Sequence, residues 1–157
     1  IQPGTVSSQP VCNLDILPTF CELSAIPSPE GRPLDGTSIV PMFTGETIDR
    51  EQPLFWHYYG GADNMQVAMR DGDWKIVARW DGPTDMPLGC SLQPGVVVLL
   101  KASRLSHFEL YHISDDAAES QDLSDVYPDL FARLSARTQE LYLEVIAEGP
   151  EWEFPAE

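Results

Sequence analysis

A hairpin signal in the middle of the chain constrains the fold more than any other local feature. Residues 66–69 and 74–80 alternate between apolar and polar side chains, and the segment between them contains the pair Asp71-Gly72. Alternation with a period of two is typical of a half-buried strand, and Asp-Gly favours a type I′ turn between antiparallel strands. The sequence therefore predicts an antiparallel hairpin here and a sheet that contains it.

Further strands are predicted on both sides of the hairpin. The aromatic run 54–59 has high strand propensity, and the apolar runs 96–100 and 108–113 follow later in the chain. Residues 81–95, which precede the first of these later runs, contain three prolines and three glycines. That composition predicts a long loop, and loops of this length often carry function.

One long helix is predicted near the C-terminal end. Ser124 or Asp125 caps it, Pro128 lies in its first turn and Gly149-Pro150 ends it, which gives a helix of about residues 125–148. Apolar side chains recur along one stripe, so the helix is expected to cover one face of the sheet. The stripe consists of Leu130, Leu134, Leu141 and Val145, with Phe131, Thr138 and Tyr142 beside it.

Residues 1–50 have a different pattern. Apolar residues at helical spacing follow Asp15, a natural N-cap, and predict a helix with the body Leu17–Ala25 and Pro18 in its first turn. We interpret 1–50 as the end of a larger α/β domain and 51–157 as a small antiparallel β-sheet packed against a C-terminal α-helix. A domain built to stand alone would not begin with a helix whose apolar face has no sheet to cover. The chain is therefore expected to belong to a longer protein.

The charge of the chain excludes direct binding to nucleic acid or to an anionic membrane. The formal net charge is −16 at pH 7, so the electrostatic term that dominates such binding would be repulsive. No run approaches the roughly 20 consecutive apolar residues that a membrane span needs. An anionic substrate must therefore be held by groups elsewhere.

The three cysteines fit neither a disulfide framework nor a zinc site. Within a helix, Cys12 and Cys21 would lie roughly 13 Å apart along the axis, beyond the roughly 7 Å between Cα atoms that a disulfide allows. Only a pair that involves Cys90 is left. Cysteine usage therefore leaves the redox compartment open.

Four short segments carry recognisable motifs, namely 13–19, 34–41, 70–77 and 109–119. In this order along the chain, they resemble the sulfatase family of the alkaline-phosphatase-like superfamily. The first is similar to the family's D-x-x-P-T helix start and the second to its D-G-x-S-L-x-P segment. The third is similar to its R-x-G-x-W-K-L hairpin and the fourth to its E-L-Y-D-L-x-x-D-P-x-E strand. In the fourth, His112 replaces an acidic residue and Ala117 replaces a proline, and neither position touches the family's chemistry. Together, the four segments span nearly the whole chain.

The resemblance implies hydrolysis of a sulfate ester by a formylglycine nucleophile, made from Cys or Ser, with a calcium ion that neutralises the sulfate. The family's nucleophile motif is C-x-P-x-R or S-x-P-x-R, and none of Cys12, Cys21 and Cys90 begins such a motif. The nucleophile and the calcium ligands are therefore expected in an N-terminal catalytic portion of the same protein, which is the expected partner of this segment. The segment alone is expected to be inactive. The resemblance also implies that the parent is exported and acts on a sulfated sugar or an aryl sulfate.

Two residues are candidates for substrate binding, and no catalytic residue or metal ligand is predicted within the chain. His57 ends the aromatic run, and in bacterial sulfatases that resemble this chain a histidine in such an F-W-H context lies near the substrate pocket; the alternative is a core histidine. Arg79 precedes the long loop, where its guanidinium suits a sugar sulfate or carboxylate. The alternative for Arg79 is a surface ion pair with Asp81 or Asp85.

Other notable residues have more ordinary interpretations. Asp63-Asn64 is similar to a calcium-binding pair of the family, but its glycine-rich context favours turn chemistry. His107 and His112 are expected at the surface or at the edge of the sheet. The tryptophans Trp56, Trp74 and Trp80 have rings that suit stacking on a sugar, but because they lie on alternating strands they are expected in the core.

Two other classes of function stay open. One is a free-standing, non-catalytic accessory module that binds a ligand. The other is a phosphatase or phosphodiesterase of the same superfamily, although segments 70–77 and 109–119 favour a sulfatase.

Overall fold

The computed structural model describes residues 1–31, 34–58, 66–81, 98–99 and 101–149. The chain divides into two compact units, Ile1–Leu54 and Phe55–Glu157. Several residues that the sequence singles out lie outside the described residues, namely Asp63, Asn64, Asp85, Cys90, Val96 and Val97.

The described residues of the second unit include four strands, β1 (Leu54–Tyr58), β2 (Gln66–Asp71), β3 (Trp74–Trp80) and β4 (Leu105–His112). These strands form one sheet with the order β1-β2-β3-β4. Antiparallel pairing joins β2 to β3 and β3 to β4. The antiparallel sheet that the sequence predicts is therefore confirmed.

The β2–β3 hairpin is present, but its turn differs from the prediction. Asp71 pairs with Trp74, so the two-residue loop is Gly72-Asp73 and not Asp71-Gly72. Gly72 has a positive φ of 59°, whereas the φ of Asp73 is not positive. A positive φ at the first loop position alone matches a type II′ turn, in which glycine is preferred at that position.

The C-terminal helix packs on one face of the sheet, as predicted. It spans Pro128–Glu148, with Tyr127 in place of Ser124 or Asp125 as its N-cap. The buried residues of this helix are Leu134, Thr138 and Tyr142, whereas Val145 is largely exposed. The stripe predicted from leucine and valine spacing is therefore rotated toward Tyr142. We number this helix α2.

Two contiguous clusters form the core between α2 and the sheet. In the first, Tyr142 packs among residues of β2, β3 and β4; in the second, Leu134 does the same one layer along. Phe55 and Phe108 pack against both clusters, which fixes the helix-facing side of β1 and β4. The buried members are Val67, Ala78, Leu105 and Tyr142 in the first cluster, and Met69, Ile76, Leu110 and Leu134 in the second.

A bulge in β4 keeps both of its buried leucines on the helix-facing side. Leu105 and Leu110 are five positions apart, and strict alternation would place them on opposite faces. The pairing of β3 with β4 shifts between Val77 and Arg79, and His107 there has φ 50°. One extra residue in β4 restores the alternation. The strand also begins at Leu105, earlier than the predicted residue 108.

The strand predicted over 96–100 is wrong in its described part. Val98, Leu99, Lys101 and Ala102 are helical, and the Ser103 hydroxyl donates to the Leu99 carbonyl. A short apolar run does not by itself distinguish a strand from a helical segment.

The described residues of the first unit form one α-helix and two short 3-10 helices. Helix α1 spans Ile16–Leu23, and the 3-10 helices span Asn13–Asp15 and Val40–Thr44. The helix predicted with the body Leu17–Ala25 is thus present but ends earlier, because Ala25 adopts the left-handed conformation with φ 52°. None of the helices in the described part of the chain has the length and apolar character that a membrane span requires.

Candidate functional site

The first unit is organised around a buried ion pair. Asp15 is almost completely buried, and its two carboxylate oxygens accept hydrogen bonds from the two terminal nitrogens of Arg50, both at 2.8 Å. The same carboxylate accepts the backbone N–H of Cys12 at 2.8 Å and that of Thr37 at 2.9 Å. Asp15 occupies the predicted cap position, but its side chain does not cap α1. It ties together three segments instead.

Thr19 adds a second tie between α1 and the same segment. Its hydroxyl donates to the Asp15 carbonyl at 2.6 Å and accepts the Ile39 N–H at 3.1 Å. We refer to Asp15, Thr19, Thr37 and Arg50 as the Asp15 latch. Gly36 is required beside it, because a Cβ there would lie 2.1 Å from the Leu14 carbonyl oxygen. The resemblance segments 13–19 and 34–41 are therefore two halves of one structural contact.

The electrostatics of the Asp15 latch favour the ionised carboxylate. Burial by itself raises the pKa of Asp15, but the hydrogen bonds from Arg50, Thr37 and Cys12 outweigh it and lower the pKa from 3.8 to about 2. Hydrogen bonds to a carboxylate stabilise its charged form. An Asp15 oxygen that is already shared among these donors is not positioned to hold a metal ion.

Helix α1 is inverted relative to an ordinary surface helix. Its buried residue is Thr19, and the latch residue Asp15 precedes it, whereas its apolar side chains point outward. Phe20 is 62% exposed. Of the described residues in this unit, Leu54 is the one apolar side chain that is buried. The exposed apolar residues in and next to α1 are Leu14, Ile16, Leu17, Phe20, Leu23 and Ile26.

His57 lies on the helix-facing side of β1. Its ring is 5.2 Å from the ring of Tyr142, with an interplanar angle of 59°. Burial lowers the pKa of His57 from 6.5 to about 4, so the ring is neutral at neutral pH. This position favours the core interpretation of His57. The substrate-binding role stays a prediction, and it would require a neutral imidazole.

Arg79 lies on the opposite face of the sheet. The neighbouring Ala78 packs into the helix-facing core, and strand alternation turns Arg79 away from it. Its side chain is 48% exposed and forms a 4.0 Å ion pair with Glu109. Asp81, the pair partner weighed from sequence, instead accepts the backbone N–H of Arg104. Arg79 and His57 therefore lie on different faces of the sheet.

Two aromatic side chains of β1 share the face of Arg79. Trp56 is 42% exposed and Tyr58 is 60% exposed. Phe55 and His57, which alternate with them along β1, point toward α2. The prediction of Trp56 as a core residue was wrong, because the aromatic run alternates between the two faces. Trp80 is buried as predicted, and Trp74 packs against the helix-facing core.

The segment after β4 is fastened to the hairpin. Lys75 forms an ion pair with Glu119, and the ring of Trp74 packs edge-on against His112 at 4.6 Å and Tyr127 at 5.0 Å. As predicted, His107 is exposed and both it and His112 lie on β4, an edge strand. The resemblance segments 70–77 and 109–119 are thus also partners in one contact.

The described residues do not fit a calcium site. Among them, no group of three His, Cys, Asp or Glu side chains is arranged to hold a metal ion. Calcium takes six to eight oxygen ligands, typically about 2.3–2.6 Å from the ion.

Comparisons with known proteins point to sulfatases. No protein-family model matches the chain. The chain is 40% identical over 79 residues to the choline-sulfatase of Rhizobium meliloti, which is 49% of this chain and 15% of that protein. It is 25% identical over 135 residues to arylsulfatase K of Danio rerio, which is 83% of this chain and 21% of that protein. The chain therefore spans only about a fifth or less of the length of these relatives.

Solved structures share the fold. The crystal structure of Ps i-CgsB matches with a TM-score of 0.58 at 23% identity, over 86% of this chain and 25% of that chain. The structure of BT4656 matches with a TM-score of 0.53 at 18% identity, over 83% of this chain and 24% of that chain.

The chain shares its fold, an antiparallel sheet with a C-terminal helix, with these solved structures. More particularly, the chain is similar to the C-terminal portion of sulfatases, so the recognition drawn from the four sequence segments is confirmed.

Proposed function

We propose that this chain is the C-terminal part of a sulfatase whose nucleophile and metal ligands lie in a preceding catalytic portion. The inverted helix α1 is the observation that carries the proposal, because an apolar surface of this size on a unit with so little apolar core needs a partner. The relatives support the proposal because they are much longer than this chain. The matched segment is 21% of arylsulfatase K and 26% of the ulvan-active sulfatase of Formosa agariphila.

The exposed face of α1 is the surface on which the catalytic portion packs in this proposal. Full burial of a large apolar side chain contributes about 1.5 to 3 kcal/mol. Ile16, Leu17, Phe20 and Leu23 are about half exposed, so covering all four would add several kcal/mol, which is a large part of the stability of a domain. The Asp15 latch holds the helix with its polar side inward. The apolar side is therefore presented outward as a preformed docking surface.

The chemistry is divided between the two portions. In the catalytic portion, a formylglycine made from Cys or Ser would supply the nucleophile, and a bound calcium ion would neutralise the sulfate. The C-terminal part contributes contacts to the sugar or alcohol end of the substrate through one of two candidates that lie on different faces of the sheet, either Arg79 or His57 as a neutral hydrogen-bonding group. Such contacts set specificity and leave the reaction itself unchanged.

Sulfated sugars are the favoured substrate class. BT4656 was solved with its substrate D-glucosamine-2-N,6-O-disulfate, and Ps i-CgsB was solved with a neocarrahexaose. Both ligands are sugars, which supports a sugar as the substrate of the parent protein. Export of the parent, which brings an enzyme to extracellular glycans, is part of the same proposal.

Activity assays on two lengths of the protein test the function. The 157-residue chain should not hydrolyse an aryl sulfate or a sulfated sugar, with or without calcium, whereas a longer protein that includes C-x-P-x-R or S-x-P-x-R should hydrolyse at least one. Turnover by the short chain that survives mutation of its cysteines would contradict the proposal. A longer protein that prefers phosphate esters would assign it to the phosphatases or phosphodiesterases of the superfamily.

A charge placed on α1 tests the docking surface. Phe20→Asp should leave the melting temperature of the 157-residue chain unchanged and lower that of the longer protein. Val126→Asp, at an exposed apolar residue of the second unit, is the matched control and should be neutral in both. A dimer of the short chain that Phe20→Asp dissociates would assign the surface to a second copy instead.

A further inference from the structure

The two edges of the sheet are protected to different degrees. The sheet order makes β1 and β4 its edge strands. Strand β4 carries the bulge at His107. Both backbone groups of Leu110 are also occupied, because its N–H donates to the Asp122 carboxylate at 3.0 Å and its carbonyl accepts the Leu123 N–H at 2.8 Å. Bulges and covering segments are devices that keep an edge strand from pairing with another chain, so the β4 edge is protected.

Strand β1 lacks the side chains that usually protect an edge. Leu54–Tyr58 contains no charged residue and no proline. Its histidine, His57, is neutral at neutral pH because burial lowers its pKa to about 4. Among the described strands, none lies beyond β1. An uncharged, aromatic edge of this kind is a site at which a further strand can pair.

Two aromatic side chains of β1 are exposed on one face of the sheet. Trp56 and Tyr58 point away from α2 and are not covered by the rest of the second unit. In an antiparallel pair, the Cβ atoms of directly opposite residues lie about 4.5–5.5 Å apart, and aromatic pairs at this distance add stability. A further antiparallel strand beside β1 would therefore satisfy backbone groups and cover both rings at once.

The charge of the chain favours a second copy of β1 as that strand. Two copies that each carry a net charge of −16 repel each other over most of their surface. At β1 they meet without like charges opposite each other, which would be destabilising in a sheet. The strand also suits a two-fold axis: with the axis at Trp56, the two copies of Trp56 lie opposite each other and Leu54 lies opposite Tyr58. Two-fold pairs are the commonest form of oligomer.

We propose that β1 is a self-association edge, at which two copies of this chain pair their β1 strands antiparallel and join two four-stranded sheets into one continuous sheet. Main-chain hydrogen bonds hold the strands together, and the rings of Trp56 and Tyr58 flank them. A contact built on five residues of each copy is small beside the roughly 1,200–2,000 Å² of a stable interface, so the dimer is weak and depends on concentration. It uses a different surface from the apolar face of α1 and does not depend on sulfatase activity.

Sedimentation velocity of the 157-residue chain with Phe20→Asp tests the proposal, because this substitution removes association through α1 and leaves β1 unchanged. Over about a hundredfold range of concentration, the chain should shift from monomer toward dimer. Added NaCl should strengthen the dimer, because screening weakens the repulsion between two negative chains. Trp56→Lys should weaken dimerisation by about tenfold or more. Since this change makes the chain less negative, its effect cannot come from increased repulsion.

The matched control is Val126→Lys, which makes the same change in charge at an exposed apolar residue before α2 and should leave the dimer intact. Tyr58→Lys, at the most exposed residue of β1, should act in the same direction as Trp56→Lys, so the test does not depend on the folding of one variant. Melting temperatures check that each variant is folded.

Hydrogen exchange separates strand pairing from a contact between side chains alone. Alternate amides of β1, those whose N–H groups point away from β2, should gain protection as the concentration rises. A monomer at every concentration, a dimer that both lysine variants of β1 leave unchanged, an equal loss in Val126→Lys, or exchange of the β1 amides that does not respond to concentration would each overturn the proposal.

Discussion

Neutralising Asp15 should release the first unit from the contact that organises it. The lowering of the Asp15 pKa from 3.8 to about 2 corresponds to about 2.4 kcal/mol of stability at neutral pH. Asp15→Asn would also leave the guanidinium of Arg50, whose side chain is 12% exposed, without its partner. Breaking a buried ion pair from one side typically costs about 3–5 kcal/mol. The second effect is the larger, so we expect a loss of about 3 kcal/mol or more.

The pH dependence has a definite sign. The folded-state pKa of Asp15 lies below the unfolded-state value, so the unfolded chain binds the proton at higher pH than the folded chain does. The stabilisation is fully present above about pH 4 and is lost as the pH falls from about 4 toward 2. Asp15→Asn has no carboxylate to titrate and should lack this component of the pH dependence.

Hydrogen exchange at single amides is the appropriate assay, because global unfolding of this chain also reports on the second unit. The amide of Thr37 donates to Asp15 and that of Ile39 donates to Thr19, so both should lose protection in Asp15→Asn. Asp35→Asn, at an exposed carboxyl in the same segment, is the matched control and should retain protection. Unchanged exchange at Thr37 in Asp15→Asn would refute the reasoning.

Three further predictions concern packing, backbone strain and burial. Leu134→Ala should lower the free energy of unfolding in urea by about 2–5 kcal/mol, whereas Val145→Ala, on the same helix but largely exposed, should change it little; equal effects would place both in the core. Ala25→Gly should raise protection of the end of α1 by about 1 kcal/mol, because alanine is strained at φ 52°; a loss would mean the strain is absent. Burial lowers the pKa of His57 from 6.5 to about 4, so the contribution of its neutral ring to the stability of the second unit is full above about pH 6.5 and is lost as the pH falls toward 4. In His57→Gln, the free energy of unfolding should depend less on pH over this range.

The elements that sequence predicts correctly are those with a local signal. The hairpin and the C-terminal helix follow from period-two and helical spacing, and both are present. The type of the turn was wrong because an Asp-Gly-Asp sequence permits two registers, and the pairing of Asp71 with Trp74 selects one of them. The bulge at His107 had no sequence signal, since it is fixed by the need to bury Leu105 and Leu110 on the same side.

The candidate sites were less predictable than the fold. Which face of the sheet a β1 side chain occupies depends on where α2 packs, and an unbroken aromatic run does not reveal that. Once Phe55 is placed against α2, alternation puts His57 toward the helix and Trp56 on the opposite face. The buried face of α2 differs from the predicted stripe for a similar reason. Thr138 and Tyr142 are buried, and Thr138 contacts Met69 of β2, whereas Val145, which the spacing of apolar residues placed in the stripe, is exposed.

The recognisable segments of this chain are pairs of structural contacts. Segments 13–19 and 34–41 meet in the Asp15 latch, where Gly36 is required by the approach of the Leu14 carbonyl. Segments 70–77 and 109–119 meet through Lys75 and Glu119. A contact of this kind constrains two stretches of sequence at once, which explains why such stretches identify the fold.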